Sequence, residues 1–438
     1  MSSYLLKGVS VVGGAPTDVV IRDGVISADK SGAEVIEADG LVALPGMVDA
    51  HVHFMEPGPT DREDFAHGSA AAAAAGVTCV AEHTHGWPVT TAEGLREKAG
   101  HLAGRSVVDF ALGAHASPDT LGAAGELREA GAAFVKAFTC TTHGIDGLDA
   151  ARQLALLRAA ASAGVRVLAH CEDEALTAAA ERELRGALRK DFGVLPVWRS
   201  AEAELVATSA TALLARLTGA RVTIAHASQP EVVETVVRER AKGARLDVET
   251  CPQYLLLDEA DVVEHGPTRK FTPPARPAPA ADELWDLLES GAIDMLSSDH
   301  APSTLAQKHD GDIWECPFGL PGVDTTLPLM LDAVARGRLS LRRLATVYSA
   351  TPAAVLGLGG RKGALAPGAD ADVVLVDLDG RRTLADEQVV SKAGWTPYAG
   401  LQLRGSVVAT LLRGETVAEH GRPVAGPGTG SFLAPGPR

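Results

Sequence analysis

The sequence predicts an α/β fold, a (β/α)8 TIM barrel that carries a small discontinuous β-sandwich domain built from both chain ends. Short β-rich runs alternate with helical stretches through the middle of the chain, and eight such pairs over about 300 residues are typical of this barrel. No Gly-x-Gly-x-x-Gly motif follows the first strand, which argues against an open dinucleotide-binding sheet.

The barrel prediction rests on eight β-rich runs and the helices between them. The predicted strands are 47–53, 77–82, 107–113, 133–138, 166–170, 222–226, 245–250 and 294–298. The clearest helical stretches are 148–163, 201–217 and 282–289, and glycines at 76, 131, 164 and 291 mark helix ends. Catalytic groups of such barrels lie at the carboxyl ends of the strands, so candidate functional residues are expected there.

Both chain ends lack long helical patterns. Residues 1–45 contain short strands with an Asp23-Gly24 pair between β-branched runs, which is a strong hairpin signal. Residues 356–438 have similar β-rich runs. We expect 1–45 and 356–438 to join in one small β domain and 46–355 to form the barrel.

Composition limits the partners of the chain. Its 40 Lys and Arg against 56 Asp and Glu give a net charge of −16, which would repel nucleic acid. Five cysteines without a Cys-x-x-Cys pair indicate neither a disulfide framework nor a zinc finger, and they favour a reducing cytoplasm. No run approaches the roughly 20 apolar residues that span a bilayer, so we expect no membrane association.

A His-x-His pair at the end of the first predicted strand is the strongest chemical signal. Side chains on a strand alternate, so His51 and His53 point to the same side and can offer two nitrogens to one metal. Later predicted strands also carry a potential ligand or catalytic group at or near their ends: Lys136, His170, His226 and Asp299. Imidazole and carboxylate ligands with one open position are typical of catalytic zinc, so the pattern predicts a metal-dependent hydrolase.

Lys136 is the unusual member of this set, because a protonated amine cannot bind a cation. It lies in the apolar run 134–138, and burial there would lower its pKa and favour the neutral amine. A neutral amine can react with CO2 to give a carbamate, an anionic bridge between two metals. Taken alone, Lys136 could also be an ordinary lysine that extends its amine to the surface.

These motifs resemble the amidohydrolase superfamily, in particular its cyclic amide hydrolases: allantoinase, dihydroorotase and hydantoinase. The resemblance runs nearly end to end. The matching motifs are Pro45-Gly46-Met47-Val48-Asp49-Ala50-His51-Val52-His53, Glu56-Pro57-Gly58, Phe134-Val135-Lys136-Ala137-Phe138, His170-Cys171-Glu172, His226-Ala227-Ser228, Glu249-Thr250-Cys251-Pro252 and Ser298-Asp299-His300-Ala301-Pro302.

The resemblance implies a site with two divalent metal ions, with zinc expected. In this family pattern His51, His53 and Asp299 would hold one metal, and His170 and His226 the other. Lys136, modified to N6-carboxylysine, would bridge them. A metal-bridging hydroxide would attack the ring amide, and Asp299 would pass its proton to the leaving nitrogen. The family also implies a homodimer or homotetramer.

Several positions bear on the substrate. Dihydroorotases of this group hold a substrate carboxylate with an arginine, an asparagine and a histidine at places where this chain has Met55, the stretch from His83 to His85, and Ser303. Hydantoinases place a tyrosine where Thr141 stands, and allantoinases a threonine. We therefore expect an allantoinase-like enzyme with substrate contacts at these five positions. Dihydroorotase or hydantoinase activity is the alternative.

Two other classes of function share the fold. A mononuclear deaminase would not need a lysine bridge, and Lys136 in its apolar strand argues against that class. A non-catalytic assembly protein would have lost metal ligands, whereas all six expected ligands are present. The sequence therefore favours a small cyclic amide as the partner of the site.

Overall fold

The computed structural model describes residues 3–83 and 87–436. The chain begins with five strands: β1 (Ser3–Val11), β2 (Pro16–Arg22), β3 (Val25–Ser27), β4 (Glu34–Glu37) and β5 (Val42–Pro45). The central strands are β6 (Met47–Val52), β7 (Val77–Glu82), β8 (Asp109–His115), β9 (Phe134–Phe138), β10 (Arg166–His170), β11 (Arg221–Ile224), β12 (Arg245–Thr250) and β13 (Met295–Leu296). The last four are β14 (Val373–Thr383), β15 (Gln402–Leu412), β16 (Glu415–Glu419) and β17 (Arg422–Pro423).

Helices connect the central strands and cover their outer face. They are α1 (Phe65–Ala74), α2 (Ala92–Leu102), α3 (Ala124–Glu129), α4 (Ala150–Ala163), α5 (Glu174–Gly186), α6 (Leu195–Trp198), α7 (Ala201–Thr218), α8 (Pro230–Ala241), α9 (Pro252–Leu256), α10 (Glu259–His265), α11 (Pro279–Ser290), α12 (Leu305–Lys308), α13 (Thr326–Ala335), α14 (Leu341–Ala345) and α15 (Thr351–Val355). Short 3₁₀ turns lie at Phe192–Val194, Gly266–Arg269 and Asp386–Gln388, and Thr346–Ala350 forms a π-helical turn.

Strands β6 to β13 form the predicted parallel barrel. Each pairs with its neighbour in chain order, from β6 to β13. The first and last strands meet through a parallel bridge between Val52 and His300, and the amide of His53 donates to the carbonyl of His300 at 2.7 Å. The (β/α)8 fold expected from the sequence is therefore confirmed.

Most predicted boundaries agree with the structure, and the exceptions have local causes. The strands at 77–82, 166–170 and 245–250 match to the residue. Strand β13 is shorter than predicted, because the amide of Ser298 turns to the carboxylate of Asp49 at 3.1 Å instead of continuing the ladder. The glycines expected to stop α4 and α11 do so in the left-handed conformation, at Gly164 and Gly291.

The remaining strands form one nine-stranded mixed sheet from both chain ends, as the sequence predicts. The N-terminal and C-terminal parts join where β5 pairs with β14 antiparallel. Lys362, buried between the sheet and the barrel, lies 2.7 Å from Asp109 of β8 and 2.6 Å from Asp372. This ion cluster fixes the sheet against the barrel. The boundaries at 45/46 and 355/356 stay predictions.

No helix among residues 3–83 and 87–436 is long and apolar enough to cross a membrane.

Candidate active site at the carboxyl end of the barrel

All six predicted metal ligands lie around one cavity at the carboxyl end of the barrel strands. Each side chain is placed by a different strand end, except the two histidines that share β6. The residues around this cavity are His51, His53, Lys136, Phe138, His143, His170, His226, Phe271, Thr272, Asp299, Ala301, Phe318 and Gly319. Side chains that are distant in sequence meet here because parallel strands end at the same rim.

The first group contains His51, His53 and Asp299. The Oδ1 atom of Asp299 lies 3.4 Å from Nε2 of His51 and 3.5 Å from Nε2 of His53. Two ligands of a tetrahedral zinc, each at about 2.1 Å, are about 3.4 Å apart. Both distances from Asp299 therefore match the spacing of two ligands on one divalent cation.

Glu249 orients the His51 ring. Its Oε1 accepts a hydrogen bond from Nδ1 of His51 at 2.8 Å and from the amide of His226 at 3.2 Å. The proton on Nδ1 leaves the Nε2 lone pair of His51 facing Asp299. Metal-binding histidines are commonly held in this way by a carboxylate.

Lys136 lies inside this group and is buried. Its Nζ is 3.3 Å from Nε2 of His51. Burial lowers the pKa of the Lys136 amine, although the charges of Asp299 and Glu249 oppose the shift. The neutral amine is the form that can react with CO2. Its modification and bridging role stay predictions.

The second group contains His170 and His226. Nδ1 of His170 and Nε2 of His226 face each other at 3.0 Å. Burial lowers the pKa of both imidazoles, so they are neutral donors of lone pairs. His226 and Asp299 have φ values of 38° and 47°, in the left-handed region that is costly for non-glycine residues. Such strain is concentrated at functional sites.

Glu172 supports the second group from behind. Its Oε2 accepts from Nε2 of His170 at 2.7 Å and from the hydroxyl of Thr272 at 2.7 Å. The guanidinium of Arg199 lies 3.5 Å from the same oxygen. Burial would raise the pKa of the Glu172 carboxyl, but Arg199 and His170 outweigh burial and lower it to about 2. Glu172 is therefore a carboxylate that fixes the His170 ring.

The donor set fits divalent cations of the zinc type, because it offers neutral imidazoles and a carboxylate with no soft thiolate among the predicted ligands. Two compact triads of possible ligands occur in the described part of the chain: His51, His53 and His83, and Cys140, His170 and Glu172. They overlap the predicted ligand groups without matching them. His83 stacks on His51 with ring centroids 3.8 Å apart, and its Nε2 donates to the carbonyl of Ala50.

None of the four described residues that were predicted to contact the substrate lines the cavity. Met55 and Ser303 are buried and do not line the cavity, and Thr141 is exposed, with its amide hydrogen-bonded to Glu174. His85 falls outside the described residues. These contacts, and that of His83, stay predictions.

Residues that were not predicted to contact the substrate line the cavity instead. Phe138, Phe271 and Phe318 supply aromatic walls, and Thr272 and Gly319 lie between them. Phe138 is the last residue of β9, whereas the other four lie in loops whose path depends on tertiary contacts, so no strand periodicity marks those four.

Two buried lysines hold one of these loops. Nζ of Lys308 donates to the carbonyls of Pro317 at 2.8 Å and Gly319 at 2.9 Å. Nζ of Lys270 donates to the carbonyls of Ile313 and Cys316 and lies 4.2 Å from the Phe318 ring centroid. The segment 313–319 is therefore fixed over the cavity through its main chain.

Known proteins resemble this chain over most of its length. The amidohydrolase family model matches residues 42–417. The chain is 39% identical to an allantoinase of Rubrobacter xylanophilus, over 99% of this chain and 98% of that protein. It is 37% identical to a dihydroorotase of Halobacterium salinarum, over 91% of this chain and 95% of that protein.

A solved structure shows the same fold. The L-hydantoinase (dihydropyrimidinase) from Arthrobacter aurescens superposes with a TM-score of 0.95 at 31% identity, over 99% of this chain and all of that chain. The chain is therefore a member of the amidohydrolase family.

Proposed function

We propose that the chain is a binuclear metal-dependent hydrolase that opens the ring of a cyclic amide or ureide, with allantoin as the first substrate to test. The observation that carries this proposal is the pair of ligand groups around one cavity. Relatives named allantoinase, dihydroorotase and hydantoinase support the reaction class. The proposed enzyme hydrolyses a C–N bond of a small ring.

The proposed ligands divide as the two groups do. His51, His53 and Asp299 would hold one metal and His170 and His226 the other, with carboxylated Lys136 between them. Zinc ions held there would lower the pKa of a bound water and polarise the ring carbonyl. The protein's task is to fix these side chains, which Glu249 and Glu172 do through hydrogen bonds to His51 and His170.

Asp299 is the proposed proton carrier. Burial raises the pKa of its carboxyl in the metal-free chain. Its Oδ1 faces the cavity beside His51 and His53, so the same carboxyl can pass the proton to a ring nitrogen bound there. Ring opening by this route would involve no covalent bond between the enzyme and the substrate.

The walls of the cavity favour an uncharged ring. Within residues 3–83 and 87–436, the residues that line it include no arginine, and the only lysine is Lys136. A ring with its own carboxylate, such as dihydroorotate, would therefore lack a cationic partner apart from the metals. This favours an allantoinase-like or hydantoinase-like substrate over dihydroorotate. We also expect a homodimer or homotetramer, as the family resemblance implies.

A ring-opening screen tests the proposal. Protein loaded with zinc is assayed against allantoin, hydantoins, dihydropyrimidines, cyclic imides and dihydroorotate, and the metal content is measured in the same samples. We expect turnover of an uncharged ring and about two metals per chain. Asp299→Asn should lower turnover by about 10²-fold or more while the protein stays folded. Two bound metals with no ring opened would overturn the proposal.

A further inference from the structure

A second and larger cavity lies at the opposite end of the barrel. Its volume is about 440 Å³, within the range of small-molecule sites, which is roughly 300–1,000 Å³. The lining residues are Arg128, Ala133, Ala160, Ala161, Gly164, Val165, Arg166, Gly219, Arg221, Arg245, Ala354, Val355, Leu356, Gly357 and Gly436. Four of them are arginines, and none of these lining residues is acidic.

Three of the arginines form a row across neighbouring strands. Arg166, Arg221 and Arg245 are the first residues of β10, β11 and β12, and they are in register with one another. Neighbouring strands are about 4.8 Å apart, so the row spans about 10 Å. Like charges in directly neighbouring positions of a sheet are destabilising unless something neutralises them.

The row faces the inside of the barrel. Leu168, two residues after Arg166 and on the same face, belongs to a buried cluster with Val48 and Phe134. Nη1 of Arg166 donates to Thr223, which stands two residues after Arg221. The guanidinium groups therefore converge on the lower mouth of the barrel.

Groups of the protein neutralise this charge only in part. Arg166 pairs with Asp247, and Arg221 donates to the carbonyl of Gly164 at the end of α4. Arg128 donates to the carbonyl of Gly436 at 3.4 Å, and the side chain of Arg245 makes no hydrogen bond or ion pair within residues 3–83 and 87–436. The helix ends at α4, α7 and α15 each supply about half a negative charge. Within residues 3–83 and 87–436, neither Arg128 nor Arg245 forms an ion pair with a carboxylate, so these two cations of the cavity have no anionic partner there, in a chain whose net charge is −16.

We propose that this cavity binds a multiply charged oxyanion, a phosphate group, at the barrel end opposite to the histidines. Guanidinium groups present paired donors that match phosphate oxygens. A row of about 10 Å accommodates a single phosphate or a short polyphosphate. The binding site is independent of the proposed hydrolysis, because the two cavities share no lining residue.

The test is a calorimetric titration of the full metal-loaded chain with inorganic phosphate, pyrophosphate and ATP at constant ionic strength. The variant Arg128→Gln with Arg245→Gln removes two cations whose contacts are weakest. The matched control, Arg96→Gln with Arg422→Gln, removes two exposed cations that do not line the cavity. Circular dichroism verifies that all three proteins are folded.

We expect one site per chain that the double variant at 128 and 245 weakens by about tenfold or more, whereas the control binds like the native chain. The probe that binds most tightly would show whether the site takes free phosphate, pyrophosphate or a nucleotide. Equal binding by all three proteins would place the anion elsewhere, for example on the metals, and would overturn the proposal. So would the absence of binding by all three probes.

Discussion

The carboxylate of Glu172 lies 2.7 Å from Nε2 of His170 and thereby turns Nδ1 of that ring toward His226. The hydrogen bond fixes both the tautomer and the angle of the imidazole. Glu172 is in turn held by the hydroxyl of Thr272 and the guanidinium of Arg199. A buried polar network thus sets the geometry of one proposed metal ligand.

Glu172→Gln should weaken metal binding or activity by about 10- to 100-fold, the usual effect of removing such a supporting carboxylate. The amide has nearly the same shape, so the fold should be retained. Metal content after dialysis and kcat with a ring substrate measure the effect. Glu183→Gln, on the exposed face of α5, is the matched control. Native metal content and native kcat in Glu172→Gln would refute a supporting role.

The same carboxylate should make stability depend on pH. Its folded pKa of about 2 lies below the ordinary value of 4.5, so the unfolded chain binds the extra proton first. The stabilisation is complete above pH 4.5 and is lost as the pH falls toward 2. A shift of this size corresponds to about 3 kcal/mol. Urea unfolding of metal-free protein across this range should show a loss that Glu172→Gln lacks. Parallel pH profiles of the two proteins would contradict it.

Lys136→Ala should abolish most activity and release much of the bound metal, because it removes the proposed bridge. Short carboxylic acids should restore part of the activity by supplying an oxygen ligand in the space left by the side chain. Turnover, with and without added acetate or propionate, is the measurement. Lys242→Ala, an exposed lysine, is the control. Unchanged turnover in Lys136→Ala would count decisively against the bridge.

Lys308→Met should loosen the segment 313–319. The amine donates to three main-chain carbonyls, and the loss of these hydrogen bonds should lower the free energy of unfolding by about 2 kcal/mol. Limited proteolysis should cut the chain between 309 and 319 faster than in the native protein. Lys242→Met again serves as the exposed control. Equal cleavage rates would show that the lysine does not anchor the loop.

Sequence patterns located the proposed metal ligands because a barrel brings strand ends to one rim. His51, His170 and Asp299 lie at the ends of β-rich runs, and the structure places them around one cavity, as expected. The positions of the ligands can be predicted because side chains alternate along a strand and because the parallel strands of a barrel end at the same rim.

The residues that support the ligands depend on tertiary contacts, and strand patterns do not predict those contacts. Glu249 and Glu172 act through hydrogen bonds to ligands from other strands or from the same turn, and no spacing rule marks them. Met55 illustrates the limit of offsets along the chain. Its φ of 58° takes the backbone out of the strand conformation directly after the His-x-His pair, so counting two residues onward no longer tells which way the side chain points.

The main-chain attachment of 313–319 has a consequence for how this enzyme can change. Lys270 and Lys308 bind main-chain carbonyl oxygens, so these hydrogen bonds do not depend on which side chain stands at position 318. Exchange of Phe318 for another residue would remove its ring contact with Lys270 but would leave these main-chain hydrogen bonds in place. Laboratory evolution toward new rings has a natural starting point at that position, where variation alters the wall and spares the scaffold.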